Sequence, residues 1–363
     1  MKILFYIDNL QKGGAERVIA NLSNHLIKSN EIDIMLNSTE NIAYKLEHNI
    51  KLIELDDKKS VKNLIIKNIN RLKKIKKEVV EENPDIIISF LPMPSYRMLL
   101  LKKQLKKPII VAERNNPEDE YSSIIDRILM KKLYKKADGF VFQTNQQKEY
   151  FNKEIQDKSK VIFNPIKKEF MNKNIIEKEN VIINIGRLTE QKNQEMLINA
   201  FAKICDKHKE YKLKIFGQGP LKEKLAKQIK DLNLQERIIL EGISNDIKTE
   251  LEKSKVFVLS SIFEGMPNAL IESMALGIAP ISTDCPCGGP RELIKNGENG
   301  FLIKNNDKEE LAFKLEQLLS DENKIKKLGN EAEKIKEKLN IQTIATQWQD
   351  YITEVINKYR RGN

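Results

Sequence analysis

Short apolar runs alternate with amphipathic stretches along most of the chain. KILFYI, EIDIML, DIIIS, PIIVAE, GFVFQT and KVIFN punctuate residues 1 to about 165, with helical periodicity between several of them, the rhythm of a doubly wound parallel sheet. The rhythm restarts with VIINIGR, LKIFG, IILEG, VFVLS, APIST and GFLI. The pattern therefore predicts two α/β domains in tandem, at 1–166 and 167–340. The polar, aperiodic stretch from Asn164-Pro165 to Asn180 reads as the linker, which puts the expected active site in a cleft between the domains. A last amphipathic helix is expected from about Ile341 to Arg360 within 341–363, either crossing back to the first domain or docked locally.

A length of 363 residues suffices for two domains with cores of their own. Cys205, Cys285 and Cys287 are an odd set without an even framework of spacings, which suits a reducing cytoplasm, and the close pair lacks the second Cys or His cluster that a zinc site needs. MKILFYID reads as a strand rather than a signal peptide, and no apolar run is long enough to span a membrane. Charge changes the picture more. Of the net +11, residues 1–170 hold 32 Lys and Arg against 23 Asp and Glu, and the remainder is almost balanced. A basic first half points to an anionic surface partner. Nucleic acid is disfavoured, because there is no finger spacing, no aromatic RNP-like strand and a single tryptophan, Trp348.

The chemistry-bearing stretches fall at the ends of these strands. FEGMPNALIESMALG, Phe263 to Gly277, follows the buried run Val256 to Leu259 and reads as a turn entering a helix, with the amides of Met266, Pro267, Asn268 and Ala269 near its amino end. Pro267 supplies a ring there rather than an N–H. Glu264 and Glu272 bracket this turn; dipole complementation by Glu264 and a solvated face for Glu272 remain alternatives. INIGRLTEQKN offers Arg187 and Lys192 to one anion. QKGGAERV places Gly13 and Gly14 before a helix, a phosphate cradle or an ordinary tight turn. AERNN sets Glu113 and Arg114 at a strand's carboxyl end, where Arg114 meets an acceptor phosphate or forms an ion pair with Glu113 or Asp119. From Lys58 to Lys77 there are nine basic residues and no acid. Lys67, Arg71, Lys73, Lys74 and Lys77 there face lipid headgroups or a polyisoprenoid diphosphate, or are a solvated face. Lys102, Lys103, Lys106 and Lys107 make a second basic patch and Lys131, Lys132, Lys135 and Lys136 a third.

The Phe263–Gly277 string, with its EG turn, its proline and a second Glu separated from the first by seven residues, resembles the signature of the retaining family 4 glycosyltransferases. The resemblance spans essentially the whole chain, densely in the second half. It implies a GT-B fold of two Rossmann-like domains and transfer of a hexose or N-acetylhexosamine from a nucleotide donor, expected to be UDP-linked. The implied acceptor is a glycan, expected to be carried on a polyisoprenoid diphosphate, at the cytoplasmic face of the cell membrane. By that resemblance Arg187 and Lys192 clamp the diphosphate, Glu264 assists the sugar, Gly265 belongs to the donor turn, Glu272 holds the ribose, Gly14 closes over the donor, and Ile243 of EGIS lies beside the nucleobase. TDCPCGGPREL, 283–293, recurs in such enzymes without a sharper role than shaping the site. No Asp-x-Asp occurs, so no metal and no cofactor beyond the nucleotide sugar is expected. A histidine common in the family near AERNN is missing here, which leaves the sugar open. A nucleotide-sugar epimerase, or a catalytically silent membrane-binding protein, shares the architecture.

Overall fold

Strand β1 (Lys2–Ile7) is buried from Ile3 to Ile7 and pairs in parallel on both sides, with β2 (Glu31–Leu36) and β4 (Ile86–Phe90). In the computed structural model, which describes residues 1–56 and 63–362, it centres a sheet ordered β3-β2-β1-β4-β5-β6-β7. The other members are β3 (Lys51–Glu54), β5 (Ile109–Ala112), β6 (Gly139–Phe142) and β7 (Ser159–Val161), all parallel. A second parallel sheet, ordered β10-β9-β8-β11-β12-β13, contains β8 (Val181–Ile185), β9 (Lys212–Phe216), β10 (Ile238–Gly242), β11 (Val256–Leu259), β12 (Ala279–Asp284) and β13 (Phe301–Lys304). The chain divides accordingly into one unit of Met1–Pro165 with Ile341–Asn363 and another of Ile166–Asn340.

In each sheet the strand order reverses once, between β1 and β4 in the first unit and between β8 and β11 in the second. Helices leave the two central strands in opposite directions there, so a crevice opens at their carboxyl ends, the place where such sheets bind ligands. The GG loop follows β1, the GRLTEQK loop follows β8 and the FEG turn follows β11. Strand adjacency alone therefore juxtaposes the last two.

The final helix, Ile341–Gly362, is part of the first unit. Its buried residues Ile344, Ala345, Trp348, Tyr351, Ile352, Val355 and Ile356 follow helical spacing, so one stripe is covered. Trp348 is fully buried and stacks on Phe90 with ring centroids 6.0 Å apart. Tyr351 fastens the helix to the sheet, its hydroxyl donating to the Lys158 carbonyl at 2.6 Å and accepting from the Phe140 amide at 3.0 Å.

Candidate functional site

In the second unit β8 ends at Ile185, and Gly186 and Arg187 carry the chain into the one-turn helix Glu190–Lys192. A Cβ on Gly186 would stand 3.2 Å from the Lys192 side chain, so the lysine stem lies directly over this glycine. Across from it, β11 gives way to Ser260, Ser261 and the FEG turn. The two loops are stitched together: Ser260 Oγ donates to the Lys192 carbonyl at 2.8 Å, the Ile262 amide to the Gln191 carbonyl at 2.8 Å, and Gln191 Nε2 to the Phe263 carbonyl at 3.0 Å. Gly217 tightens the same place. Its φ of +144° suits glycine, and a Cβ there would come within 1.9 Å of the Gly186 carbonyl oxygen.

This stitching brings two of the expected residues into contact. Lys192 Nζ donates to Glu264 Oε1, which also accepts from Ser261 Oγ at 2.7 Å. Glu264 is buried. An ammonium has three donors, so one bond to Glu264 leaves others for a diphosphate oxygen. Arg187 is exposed at the mouth of the same loop.

The turn Glu264-Gly265-Met266-Pro267 runs into the helix Asn268–Ala275, with Pro267 at its cap. Met266 and Pro267 are buried, while Asn268 and Ala269 are partly exposed on the first turn, where helix amides lack intrahelical partners. Glu272, one turn further, is buried, with Lys167 Nζ 3.5 Å from Oε1. Neither glutamate is on a solvated face. Ile243, after Gly242, is 68% exposed, an apolar side chain available to a flat ligand.

The structure gives the 283–293 loop a definite role. The Glu264 amide donates to the Pro286 carbonyl at 2.6 Å, and a Cβ on Gly289 would fall 1.7 Å from the Gly265 carbonyl oxygen and 2.8 Å from Pro267 Cδ. The loop is thus packed backbone to backbone against the Glu264–Pro267 turn and fixes it. Burial and the Glu264 charge push the Cys285 thiol up to about 12, so it stays protonated. Among the described residues no group of three or more His, Cys, Asp or Glu side chains is arranged to hold a metal.

In the first unit Gly14 is exposed and opens the helix Gly14–Leu26. Gly13, at φ −167°, is ordinarily extended and gives room to the Glu16 carboxylate instead. Arg114 is buried, its guanidinium carbon 4.9 Å from the Phe90 ring and 5.7 Å from that of Trp348. Its Nη1 donates to Asn164 Oδ1 at 3.2 Å, while Nε and Nη2 find no partner. Burial lowers its pKa to about 9 and raises that of Glu113 to about 7, even though the hydroxyls of Tyr134 and Tyr121 donate to Glu113 Oε1. Arg114 is thus held inside the fold by aromatic stacking and a single hydrogen bond. On the helix Leu64–Glu82, Arg71 is paired with Asp56 at 2.5 Å and Lys67 reaches the same carboxylate at 2.9 Å, so those two cations are occupied. Lys73 and Lys77 are exposed and Lys74 is partly so, with Lys77 3.7 Å from Glu81. The part of the expected basic helix at 58–62 lies outside the described residues.

Sequence reasoning missed a polar cluster beside the GG loop. Asp8, just after β1, accepts from Arg97 Nη1 at 2.8 Å and from Asn37 Nδ2, and Arg97 also donates to the Tyr6 hydroxyl at 3.1 Å. The cue was Asp8 ending a strand, but Asn37 and Arg97 come from other elements. Lys167 was missed because it lies in the stretch read as a linker. Among the described residues no helix is long and apolar enough to cross a membrane.

Residues 166–335 match the family described as "Glycosyl transferases group 1", and residues 12–170 that described as "Glycosyltransferase Family 4". The chain is 34% identical over 363 residues to the Campylobacter jejuni GalNAc-alpha-(1->4)-GalNAc-alpha-(1->3)-diNAcBac-PP-undecaprenol alpha-1,4-N-acetyl-D-galactosaminyltransferase, covering 98% of this chain and 99% of that one. It is 30% identical to the N-acetylgalactosamine-N,N'-diacetylbacillosaminyl-diphospho-undecaprenol 4-alpha-N-acetylgalactosaminyltransferase of the same organism, covering 91% and 93%. Among solved structures, Anabaena Alr3699/HepE in complex with UDP superposes with a TM-score of 0.83 at 18% identity, over 98% of this chain and 100% of that one. The chain belongs to the family 4 glycosyltransferases and has their GT-B fold.

Proposed function

We propose that this glycosyltransferase moves a hexose or N-acetylhexosamine from a UDP-linked donor, with retention and without a metal ion, to a glycan on a polyisoprenoid diphosphate at an anionic membrane surface. The observation that carries the reading is the contact between Lys192 and the buried Glu264 at the β8/β11 switch point. Lys192, Arg187 and the amides of the FEG turn then meet the departing diphosphate, electrostatic stabilisation that needs no strong base. Glu264 assists positive charge on the sugar, Glu272 accepts from ribose hydroxyls, and the leaving phosphate oxygen takes the acceptor's proton on the same face.

The two Campylobacter relatives are named for acceptors linked to undecaprenol through a diphosphate, which supports the acceptor class. A membrane contact has its own support. The helix Ile124–Leu133 exposes Ile124, Ile125, Ile128 and Leu129 at 74, 70, 56 and 38%, and the exposed Lys131, Lys132, Lys135 and Lys136 follow at once. Clustered exposed aliphatics rimmed by cations suit the boundary of an acidic bilayer better than water. Exposed Ile65, Ile66 and Ile69 on the Leu64–Glu82 helix add to it, so the contact combines apolar and basic groups where the sequence pointed to the basic face of an amphipathic helix.

The test is transfer itself. With a panel of UDP-, GDP- and ADP-sugars and membrane lipid extract, a UDP-sugar should release nucleotide only when the lipid acceptor is present, EDTA should leave the rate unchanged, and NMR should find the product's anomeric configuration that of the donor. An inverted product, or a rate abolished by EDTA and restored by magnesium or manganese, would reject those parts of the proposal. Donor conversion without acceptor would favour the epimerase.

A further inference from the structure

We propose that the first unit holds a second anion site, separate from its ligand-binding loops, that takes a multiply phosphorylated small molecule. A cavity of about 620 Å³ is walled by the end of the helix Pro92–Leu105, the starts of β6 and β7 and the last two turns of the final helix. In a parallel sheet all strand amino ends share one edge, so this cavity lies opposite the edge that carries the GG and AERNN loops.

Five lysines, Lys102, Lys103, Lys106, Lys158 and Lys358, line it against one acid, Asp138. That acid is already committed, accepting from the Ile109 amide at 2.7 Å and from Lys102 Nζ. Lys158 donates to the Lys135 carbonyl at 3.1 Å and stands 3.6 Å from Glu154. Lys103, Lys106 and Lys358 are exposed, with no acidic partner among the described residues. Burial lowers the Lys102 pKa, the Asp138 pair offsets this only in part, and Lys158 adds a smaller repulsion. A neighbouring cavity of about 270 Å³ is the internal contrast. It shares Asp138, Lys158 and Lys358 but adds Asp157, Glu354 and Lys160, so its acids and lysines balance.

Helix-dipole complementation accounts for Lys102 and Lys103, in the last turn of their helix. It does not account for Lys158, which comes from the approach to β7, or for cations gathered around a concave space rather than spread over a surface. Val355, Ala137 and the Tyr359 ring, with Lys102 Nζ 4.5 Å from its centroid, give the cavity an apolar part. Its volume is that of small-molecule sites. Several ammonium groups with an apolar floor fit a compact body bearing two or more phosphates.

Calorimetric titration of the full chain with inorganic tripolyphosphate tests this. The wild type should show two binding events, because the donor site also takes an anion. Lys103→Gln, Lys106→Gln and Lys358→Gln together change only exposed side chains, and should weaken one event by about tenfold or more while melting temperature and nucleotide release during turnover stay unchanged. Arg187→Ala with Lys192→Ala should remove the other event and leave this one, so failure of the donor reading and failure of this proposal look different. A single event lost with Arg187 and Lys192 and untouched by the three glutamines would overturn the proposal. So would phosphatidylglycerol vesicle binding that depends on these lysines in a protein that ignores tripolyphosphate, since the lysines would then serve a lipid surface.

Discussion

The two units share a sheet plan and a switch point but use their charged residues differently. In the second unit the charges at the switch point meet each other: Lys192 on Glu264, and Lys167 near Glu272, around a turn held from behind by Gly289. In the first unit Asp8 and Arg97 also meet just after β1, but of the expected cations some are buried or paired within the unit, while Lys73 and Lys77 stay exposed. Arg114 lies under Phe90 and Trp348, and Arg71 and Lys67 share Asp56. The difference teaches that a reaction site for a fixed chemical group demands a fixed constellation, whereas a surface for a lipid or glycan is set by exposure, which allows many sequences.

The largest expected effect breaks the constellation itself. Glu264→Gln keeps the shape and the Ser261 bond but removes the charge, and should lower kcat about 10²–10³-fold with donor binding retained, read by steady-state kinetics and donor titration. Glu272→Ala should instead raise the donor KM about tenfold or more, the equivalent of about 1.5–3 kcal/mol for a lost charged hydrogen bond. Lys167→Ala should move KM in the same direction by less, because it acts only through Glu272. Near-wild-type kinetics in both glutamate variants would remove them from the site.

Gly289→Ala sharpens the comparison without touching a charge. The added methyl must displace the Gly265 carbonyl, at a cost of about 1–3 kcal/mol, so the second unit should melt earlier and UDP should bind more weakly. A variant with wild-type melting and UDP affinity would show that the 283–293 loop does not hold the turn.

The smallest effect belongs to the first unit's interior. Burial raises the Glu113 pKa from 4.5 to about 7, so the stability linked to its protonated form is complete below pH 4.5 and is lost as pH rises through 7. Glu113→Gln keeps an acceptor for Tyr121 and Tyr134 and removes the titration. Melting temperature against pH should then fall less between pH 5 and 8 than in the wild type, by the equivalent of about 1–3 kcal/mol at most. Parallel curves for the two proteins would place the titration elsewhere.

These contrasts also explain what could be read from the chain. Parallel strands buried on both faces are written as apolar runs, so both sheets and the final helix were legible, whereas Glu264, Lys192 and Glu272 were singled out through the resemblance to a family signature, their spacing alone leaving dipole complementation and a solvated face open. The inward turn of Arg114 was not legible, because it depends on Trp348, which follows it by more than two hundred positions. Nor was the exposure of Ile124, Ile125, Ile128 and Leu129: periodicity reports that a helix has an apolar stripe, and only packing shows whether something covers it.

The most direct measurement for the central claim, that the charged pair at the β8/β11 switch point performs glycosyl transfer, is UDP release from a UDP-N-acetylhexosamine in the presence of a polyisoprenoid-diphosphate-linked glycan, followed together with the mass of that glycan in wild type and Glu264→Gln. The account predicts that the wild type adds whole sugar units in step with UDP release, and that the variant binds the donor but transfers about a hundredfold more slowly or worse. Wild-type transfer rates in a folded Glu264→Gln protein would contradict it.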